Sequence, residues 1–448
     1  MKQSVKKLPI VLPLALLAVL LLGAAVTTRL SRDTAAAHTD LGQKYLNSMD
    51  YSGAVAEFMQ SLSLDPTNEE ARLGLAEAYL AMEETDLVPQ VLQPLTENGN
   101  PEAYRVLAES QSQAQDTGGA LVTAQTLVET TDEEEDYALR DELLQQVLAE
   151  PRSYAAGVDQ RLAVVDGAVY SAGSNALGQL GTGANLATNT VQEDLLPAGF
   201  SGGSGRVYCA GRTSYVVDTA GNLWASGENR WGQMGLSYVP TNPQSGWTQL
   251  TDSGDVAAVA GTVGSLYVLK TDGSLWYAGQ GSVLELRRVP VFSAVSSIAS
   301  DSSRTAALTA GGELYINEGG PDAGWTRTAR EVKTFSLSEN GGLVWVTLDN
   351  QVCSERGFSV PEDWTQGEEG SYPGFTVRDL AADGRGLLLL DGEGGLWRLY
   401  DGRLYQQDET ARAVYAAGDY AVAELEGGTF QLWDLSRVQP ETVTVTLA

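Results

Sequence analysis

Residues 171–183, SAGSNALGQLGTG, and residues 225–236, ASGENRWGQMGL, share the spacing Gly-x-Asn-x-x-Gly-Gln-Leu/Met-Gly. Gly173, Asn175, Gly178, Gln179, Leu180 and Gly181 carry it first, and Gly227, Asn229, Gly232, Gln233, Met234 and Gly235 repeat it. Glycine and asparagine tolerate left-handed backbone, and a glutamine amide can bond neighbouring main chain, so each copy reads as a compact turn between strands. Around these turns the chain is rich in Gly, Val, Trp and Tyr from Pro151 onward, in short apolar runs broken by glycine turns. An aromatic or its stand-in follows a small turn at Tyr170, Trp224, Trp276, Tyr315, Cys353, Trp397 and Phe430. That spacing averages about 43 residues, within the ~40 to 50 of a four-stranded propeller blade, and seven marks predict seven blades over residues 151–448. Runs such as VYCAG, VAAVAG and VYAAG suit crowded innermost strands, and Asp272-Gly273 suits a tight hairpin. Trp224, Trp276 and Trp397 recur at one phase, as aromatics between blades would. The last residues, ETVTVTLA, alternate like a strand and are expected to close the ring beside the first blade.

Upstream, residues 35–150 carry a different period, near 34. Leu41, Gly42, Tyr45, Ala54, Phe58 and Pro66 return as Leu75, Ala76, Tyr79, Val88 and Leu92, then as Leu107, Ala108, Ala120, Ala124 and Leu127. Small residues let two helices cross closely, large ones fill the groove beside them, and Pro66 and Pro101 end a unit. Val88, Pro89 and Pro94 predict a shifted or broken second helix in the second unit. Thr131 with Glu134 three residues on reads as a capping box that opens a capping helix, which accounts for the acidic run Asp132–Asp136.

The stretch LGQKYLNSMDYSGAVAEFMQSLSLDP, residues 41–66, resembles the tetratricopeptide repeat family. The resemblance implies a groove lined by the first helix of each unit, here Gln43, Asn47, Glu77, Arg105 and Glu109. The glycine-rich motif resembles the regulator of chromosome condensation repeat family of seven-bladed propellers, in rhythm over roughly 300 residues and in motif over the first two blades. Nucleotide exchange on a nuclear GTPase is the activity of that family's best-known member. Related bacterial propellers resemble protein-binding platforms, some of them inhibitors of secreted enzymes.

At the N-terminus, Lys2, Lys6 and Lys7 precede an uncharged run from Leu8 to Val26. Nineteen helical residues extend roughly 28 Å, close to the ~30 Å of a bilayer core. The lysines favour a cytoplasmic N-terminus, with everything after residue 30 outside. Gly23, Ala24 and Ala25 also fit a cleaved secretory signal, and the lack of any Asn-x-Ser/Thr acceptor favours a bacterial source.

Composition removes several functions. With 28 Lys and Arg against 58 Asp and Glu, a net charge of −30, the surface repels nucleic acid. One histidine, His38, and two cysteines, Cys209 and Cys353 in separate blades, leave no zinc site, disulfide framework or Ser-His-Asp triad. No phosphate-cradling Gly-x-x-x-x-Gly-Lys-Ser/Thr is present. Paired carboxylates are the remaining route to catalysis, and none stands out from hairpin aspartates such as Asp166 and Asp272. The longest break in the blade pattern, residues 357–375, mixes Glu362, Asp363, Trp364, Glu368, Glu369 and Tyr372 and is the candidate recognition loop.

The sequence thus predicts a multidomain α plus all-β protein. Residues 1–32 form a cytoplasmic tail and transmembrane anchor or signal, residues 35–150 a tetratricopeptide-like array with a capping helix, and residues 151–448 a seven-bladed propeller. Residues 33–150 hold 4 basic and 24 acidic residues, and residues 151–448 hold 19 and 34, so the outer part favours basic or neutral protein surfaces. The expected function is a single-pass, extracytoplasmic, non-enzymatic scaffold for a protein or peptide partner. No cofactor, metal, nucleic acid or small-molecule substrate is expected, and membrane contact runs through the N-terminal helix. Candidate partner-binding residues are Gln43, Asn47, Glu77, Arg105, Glu109, Glu362, Trp364 and Tyr372. The alternatives are an extracytoplasmic carboxylate-dependent glycan-acting enzyme and a propeller-type inhibitor of a secreted enzyme.

Overall fold

A computed structural model describes residues 32–183, 190–236, 244–280, 283–292, 294–320, 323–361, 364–367, 370–426, 429–434 and 441–443. The chain divides into two compact units, Met1–Gln113 and Ala114–Ala448.

In the first unit, α1 spans 32–47. It is followed by α2 (Tyr51–Leu64), α3 (Glu69–Ala81), a 3₁₀ turn (Thr85–Leu87), α4 (Val88–Thr96) and α5 (Pro101–Gln113). Asp50 and Asn68 stop the loops and start the helices, their side chains accepting from the Gly53 and Ala71 amides. Phe58 is fully buried with Ala54, Ala71 and Leu75. A Cβ on Gly42 or Gly74 would come within 2.7 and 2.3 Å of its ring, so the close crossing depends on those glycines. The rear helix of the second repeat, α4, is short and continuous although Pro94 lies inside it, and Pro89 occupies its first turn, where its missing N–H costs nothing. Val88, Leu92 and Leu95 of α4 bury against Ala76 and Ala103.

The second unit begins with α6 (Thr117–Thr131) and α7 (Glu134–Leu148) and continues as antiparallel sheets. The first sheet holds β1 (Tyr154–Ala156), β2 (Gln160–Val165), β3 (Ala168–Ser174) and β4 (Val191–Pro197), and the second β5 (Ser204–Ala210), β6 (Thr213–Asp218), β7 (Leu223–Gly227) and β8 (Gln244–Gln249). The third holds β9 (Val256–Gly261), β10 (Ser265–Lys270), β11 (Leu275–Gly279) and β12 (Val283–Arg288), and the fourth β13 (Val295–Ser300), β14 (Thr305–Thr309), β15 (Leu314–Asn317) and β16 (Thr326–Ala329). The fifth holds β17 (Val332–Ser338), β18 (Gly342–Thr347), β19 (Val352–Ser354), β20 (Thr365–Gln366) and β21 (Ser371–Tyr372). The sixth holds β22 (Val377–Ala382), β23 (Gly386–Asp391), β24 (Gly395–Tyr400), β25 (Arg403–Ala417), β26 (Tyr420–Leu425), β27 (Phe430–Asp434) and β28 (Glu441–Val443).

The strands therefore form six sheets, which corrects the expectation of seven blades. The first six marks, Tyr170 to Trp397, fall on the third strand of their sheets, and Phe430 falls on β27, the sixth strand of the sixth sheet. The last two repeats merge because β25 runs on without a turn, pairing with β24 along its first half and with β26 from Ala411 onward. The C-terminal segment Glu441–Val443 pairs with β27 and not with the first sheet. Side chains join the ring's ends instead. Fully buried Glu424 accepts from Ser153 Oγ (2.7 Å) and from its amide, while Arg152 donates to the Ala416 carbonyl (2.7 Å).

Sheets pack face to face through apolar clusters, and the first strand of each lies innermost. Trp224, Trp276 and Trp397 are half-buried against these clusters, as the phase of the repeat implied. Each indole N–H is held by its own turn: Trp224 by Asp218 (2.9 Å), Trp276 by Ser274 (2.9 Å) and Trp397 by Asp391 (2.7 Å). Innermost strands slip register near their starts, between Val332 and Thr334, Val377 and Asp379, and Ala411 and Ala413. Such bulges re-aim a side chain, and here they fall on Lys333, Arg378 and Arg412.

The helical pair packs on these inner strands. Residues Gly119–Ala124 of α6 are buried without a break, so the helix is covered on all sides. Asp116 caps α6 by accepting from the Gly119 amide (3.0 Å), and its other oxygen takes a buried ion pair from Lys333 Nζ (2.8 Å). A Cβ on Gly118 would lie 2.4 Å from the Lys333 carbonyl oxygen, so helix and strand meet only with glycine there. Arg206 donates to the Leu148 carbonyl (2.6 Å) and secures the end of α7. Thr131 closes α6, and Glu133 precedes α7 without a side-chain cap, which corrects the capping-box reading. The Thr131 hydroxyl instead bonds Asp136 (2.6 Å).

No helix among the described residues is long and apolar enough to cross a membrane. The expected anchor, Leu8–Val26, lies outside the described residues. The single-pass membrane assignment, its extracytoplasmic localisation and the membrane as a partner are corrected accordingly: the described structure supplies no anchor for them.

Candidate functional site

In the first unit, α1, α3 and α5 are the front helices of the repeats. Gln43 and Asn47 sit one turn apart on α1, with Gln43 Nε2 3.5 Å from Asn47 Oδ1. Glu77 on α3 is half-buried and faces Glu102 and Glu109 of α5. Burial first, then the two neighbouring carboxylates, raise its pKa above the ordinary glutamate value. Arg105 is the nearby cation, and it is already engaged by Glu102 at 3.1 Å. Structure thus brings Glu77, Arg105 and Glu109 together and leaves Gln43 with Asn47. Glu102 was missed in the sequence, although it stands one helical turn before Arg105. His38 is bound to Glu57 (2.6 Å).

In the candidate loop, Glu362, Asp363, Glu368 and Glu369 lie outside the described residues. Trp364 is 5% exposed and packs edge-on against Phe358, 6.2 Å between ring centres. Tyr372 donates to Asp349 (2.8 Å), which holds its hydroxyl above the ordinary tyrosine value. Thus Trp364 is part of the wall between the fifth and sixth sheets.

The main concavity of the second unit is the channel enclosed by the inner strands. Arg152 divides it, its guanidinium 5.4 Å from the Tyr208 ring centre and 4.8 Å from that of Tyr415. Behind Arg152 lies a chamber of about 150 Å³ that α6 and α7 cover, with Glu150, Arg206, Lys333, Arg378 and Asp379 on its walls. Before it lies a chamber of about 330 Å³ between the first hairpin turns of the sheets. The inner chamber holds a pair of carboxyls that share surroundings. Burial, then Asp379, push Glu150 up to about 8 against the opposing pull of Arg378 and Arg152. Burial also raises Asp379, to about 6, although Thr334 Oγ1 (2.7 Å) and the Leu380 amide (2.8 Å) donate to it. Such a pair can store a proton near neutral pH. Cys209 lines the outer chamber with its thiol pushed up to about 12 by burial, and neither cysteine is joined in a disulfide among the described residues. Among the described residues no group of three or more His, Cys, Asp or Glu is placed to hold a metal ion.

The glycine-rich motif serves the turns themselves. Asn175 Oδ1 accepts from the Leu180 amide (2.9 Å), Gln179 Oε1 from the Leu177 amide (2.8 Å), and Gln179 Nε2 reaches Asp159 (3.0 Å). The second copy repeats this, with Asn229 accepting from Met234 (2.8 Å) and Gln233 from Trp231 (2.9 Å).

Residues 45–98 match the tetratricopeptide repeat family. A comparison with curated proteins finds no match. Among solved structures, Prp20p from Saccharomyces cerevisiae, studied for its binding to Gsp1p and histones, is similar at 17% identity and a TM-score of 0.49. It covers 65% of this chain and 83% of its own. Yeast RCC1 (Prp20) bound to Kap60 gives 16%, 0.48, 63% and 80%. The ectodomain of the Physcomitrella patens receptor kinase CR4 gives 14%, 0.39, 63% and 74%.

Proposed function

We propose that the protein is a non-enzymatic scaffold whose groove over α1, α3 and α5 holds a basic polypeptide segment. The observation that supports this reading is the half-buried carboxyl of Glu77, placed beside Glu102 and Glu109 with its one nearby cation already paired. A lysine or arginine side chain supplied by a partner would replace repulsion with attraction in a partly dehydrated setting. Residues 32–113 carry 14 acidic against 4 basic residues, so the field around the groove favours such a partner. Among the described residues, the carboxyl pair Glu150 and Asp379, both raised, lies behind Arg152 in the chamber lined by α6 and α7.

The test uses the full chain as bait beside Glu77→Gln/Glu109→Gln, whose lost repulsion should leave folding intact or improved. A scaffold of this kind retains a defined basic partner that the variant releases, with retention falling as salt rises. Identical capture by both baits, or turnover of a glycan with no captured partner, would refute the reading.

A further inference from the structure

The outer chamber of the propeller is a pocket with one opening, because α6 and α7 cover the far end and Arg152 forms the floor. Its walls are small and apolar, including Ala155, Ala210, Val259, Ile298, Leu337 and Ala417. Its rim consists of the turns after the innermost strands, and these differ around the circle. On the arc of the first three sheets stand Val158, 59% exposed, Val263, 37% exposed, and Trp231, 44% exposed. They are neighbours: a Cβ on Gly211, to which Val158 bonds, would lie 2.9 Å from Val263, and one on Gly264 would lie 3.4 Å from Trp231. On the opposite arc the turns carry Asp301, Glu339 and Asp419 at the chamber, and Asp383 buried in the corresponding turn of the sixth sheet.

These acids are not equivalent. Asp301 pairs with Arg304 and Asp383 with Arg398. Glu339 and Asp419 are exposed; their carboxylates accept from the Ser302 amide (2.9 Å) and Asn340 Nδ2 (2.8 Å), while Arg356 donates to the Glu339 main-chain carbonyl (3.3 Å). A chamber of about 330 Å³ with aliphatic side chains in its wall, an apolar lip on one side and two exposed carboxylates on the other matches a ligand of the same asymmetry. We infer that the channel mouth seats a polypeptide segment that inserts an aliphatic side chain and sets flanking lysine or arginine residues against Glu339 and Asp419. The lip extends the apolar contact beyond the chamber, which suits a chain and exceeds what a small molecule would cover. This surface is separate from the groove of the first unit and does not depend on it.

The probe is a fluorescein-labelled peptide of sequence Gly-Lys-Lys-Leu-Lys-Lys-Gly, titrated by anisotropy into the full chain at low salt. One-to-one saturable binding is expected, weakened about three- to tenfold in Glu339→Gln/Asp419→Asn by loss of two exposed charge contacts. Ser302→Trp, at an exposed rim position that donates through its amide, should block the opening and abolish binding. Replacing the peptide leucine by serine should weaken binding at least as much as the carboxylate changes. Unchanged binding in Ser302→Trp, or equal affinity for the serine peptide, would overturn the insertion. Loss of binding in Glu77→Gln/Glu109→Gln with retention in Ser302→Trp would overturn it and leave the groove as the seat, whereas retention in the groove variant supports it.

Discussion

Replacing Glu150 by glutamine should make the propeller unit more stable at high pH and leave it unchanged at low pH. Its carboxyl stands at about 8 in the folded chain against an ordinary value of 4.5. Between those values the folded state holds a proton that the unfolded state has released, so stability falls as pH rises through the interval and levels off above it. Asp379, raised to about 6, adds a slope of the same sign at lower pH. Full conversion at 1.36 kcal/mol per pH unit would give about 5 kcal/mol for Glu150. The side chain keeps contact with channel water and faces Arg152 and Arg378, so about 1–3 kcal/mol is the reasonable share. Glutamine has nearly the same shape and no charge to bury. All nine tryptophans lie beyond residue 113, so intrinsic fluorescence reports the second unit alone. For roughly 335 residues, 1 kcal/mol corresponds to about 1.4 °C in Tm. Melting curves at about pH 3.5, below the unfolded value, should therefore coincide, and at about pH 9 the variant should melt roughly 1.5–4 °C higher. A variant that melts lower at pH 9 would show that attraction to Arg152 and Arg378 outweighs burial, and the reasoning would fail.

Lys333→Met should destabilise the same fluorescence transition by about 3–5 kcal/mol, because Asp116 is left buried without its cation, and Lys333→Met/Asp116→Asn should recover most of the loss while keeping a competent helix cap. Asn175→Ala and Asn229→Ala should each cost about 1–3 kcal/mol in chemical denaturation, since a buried amide loses its acceptor in both turns; a change confined to binding would contradict the structural reading of the motif. Cys209 should react with iodoacetamide at pH 8 at least about a hundredfold more slowly than a free thiol, despite lining the chamber, and should react freely once the chain is unfolded.

The legible parts of the sequence are those where one residue type has one structural use. Gly42 and Phe58 marked a close helix crossing, and the aromatic rhythm from Tyr170 to Trp397 located the third strand of every sheet. The sheet count escaped because nothing in Arg403–Ala417 interrupts pairing: a turn that separates earlier repeats is absent there, and one strand serves two neighbours. Assigning α6 to the array followed from Ala120, Ala124 and Leu127 at helical spacing. The contrary signal was the apolar and small run GGALVTA, which wraps the whole circumference and calls for cover on every side. Glu77, Arg105 and Glu109 were readable from position on front helices. The inner carboxyl pair was not, since Glu150 and Asp379 lie more than two hundred residues apart and meet only through the ring.

The placement of cations explains why so acidic a chain folds and why its surfaces stay acidic. Several of its 28 basic side chains are drawn toward the propeller's interior: Lys333 to Asp116, Arg398 to Asp383, Arg412 to Glu424, and Arg152 between two tyrosines. Buried carboxylates without such partners would cost far more than exposed ones, so cations placed inside have the greatest effect on folding. Among the described residues, the side chains of Glu77 and Glu109 in the first unit, and of Glu339 and Asp419 in the second, are not drawn into such interior pairs. A field of that sign concentrates basic segments at the groove and at the channel mouth, and it weakens as the Debye length shortens. Association with such a segment should therefore slow with rising salt, while dissociation from the chamber changes less, because an inserted aliphatic side chain carries no charge to screen.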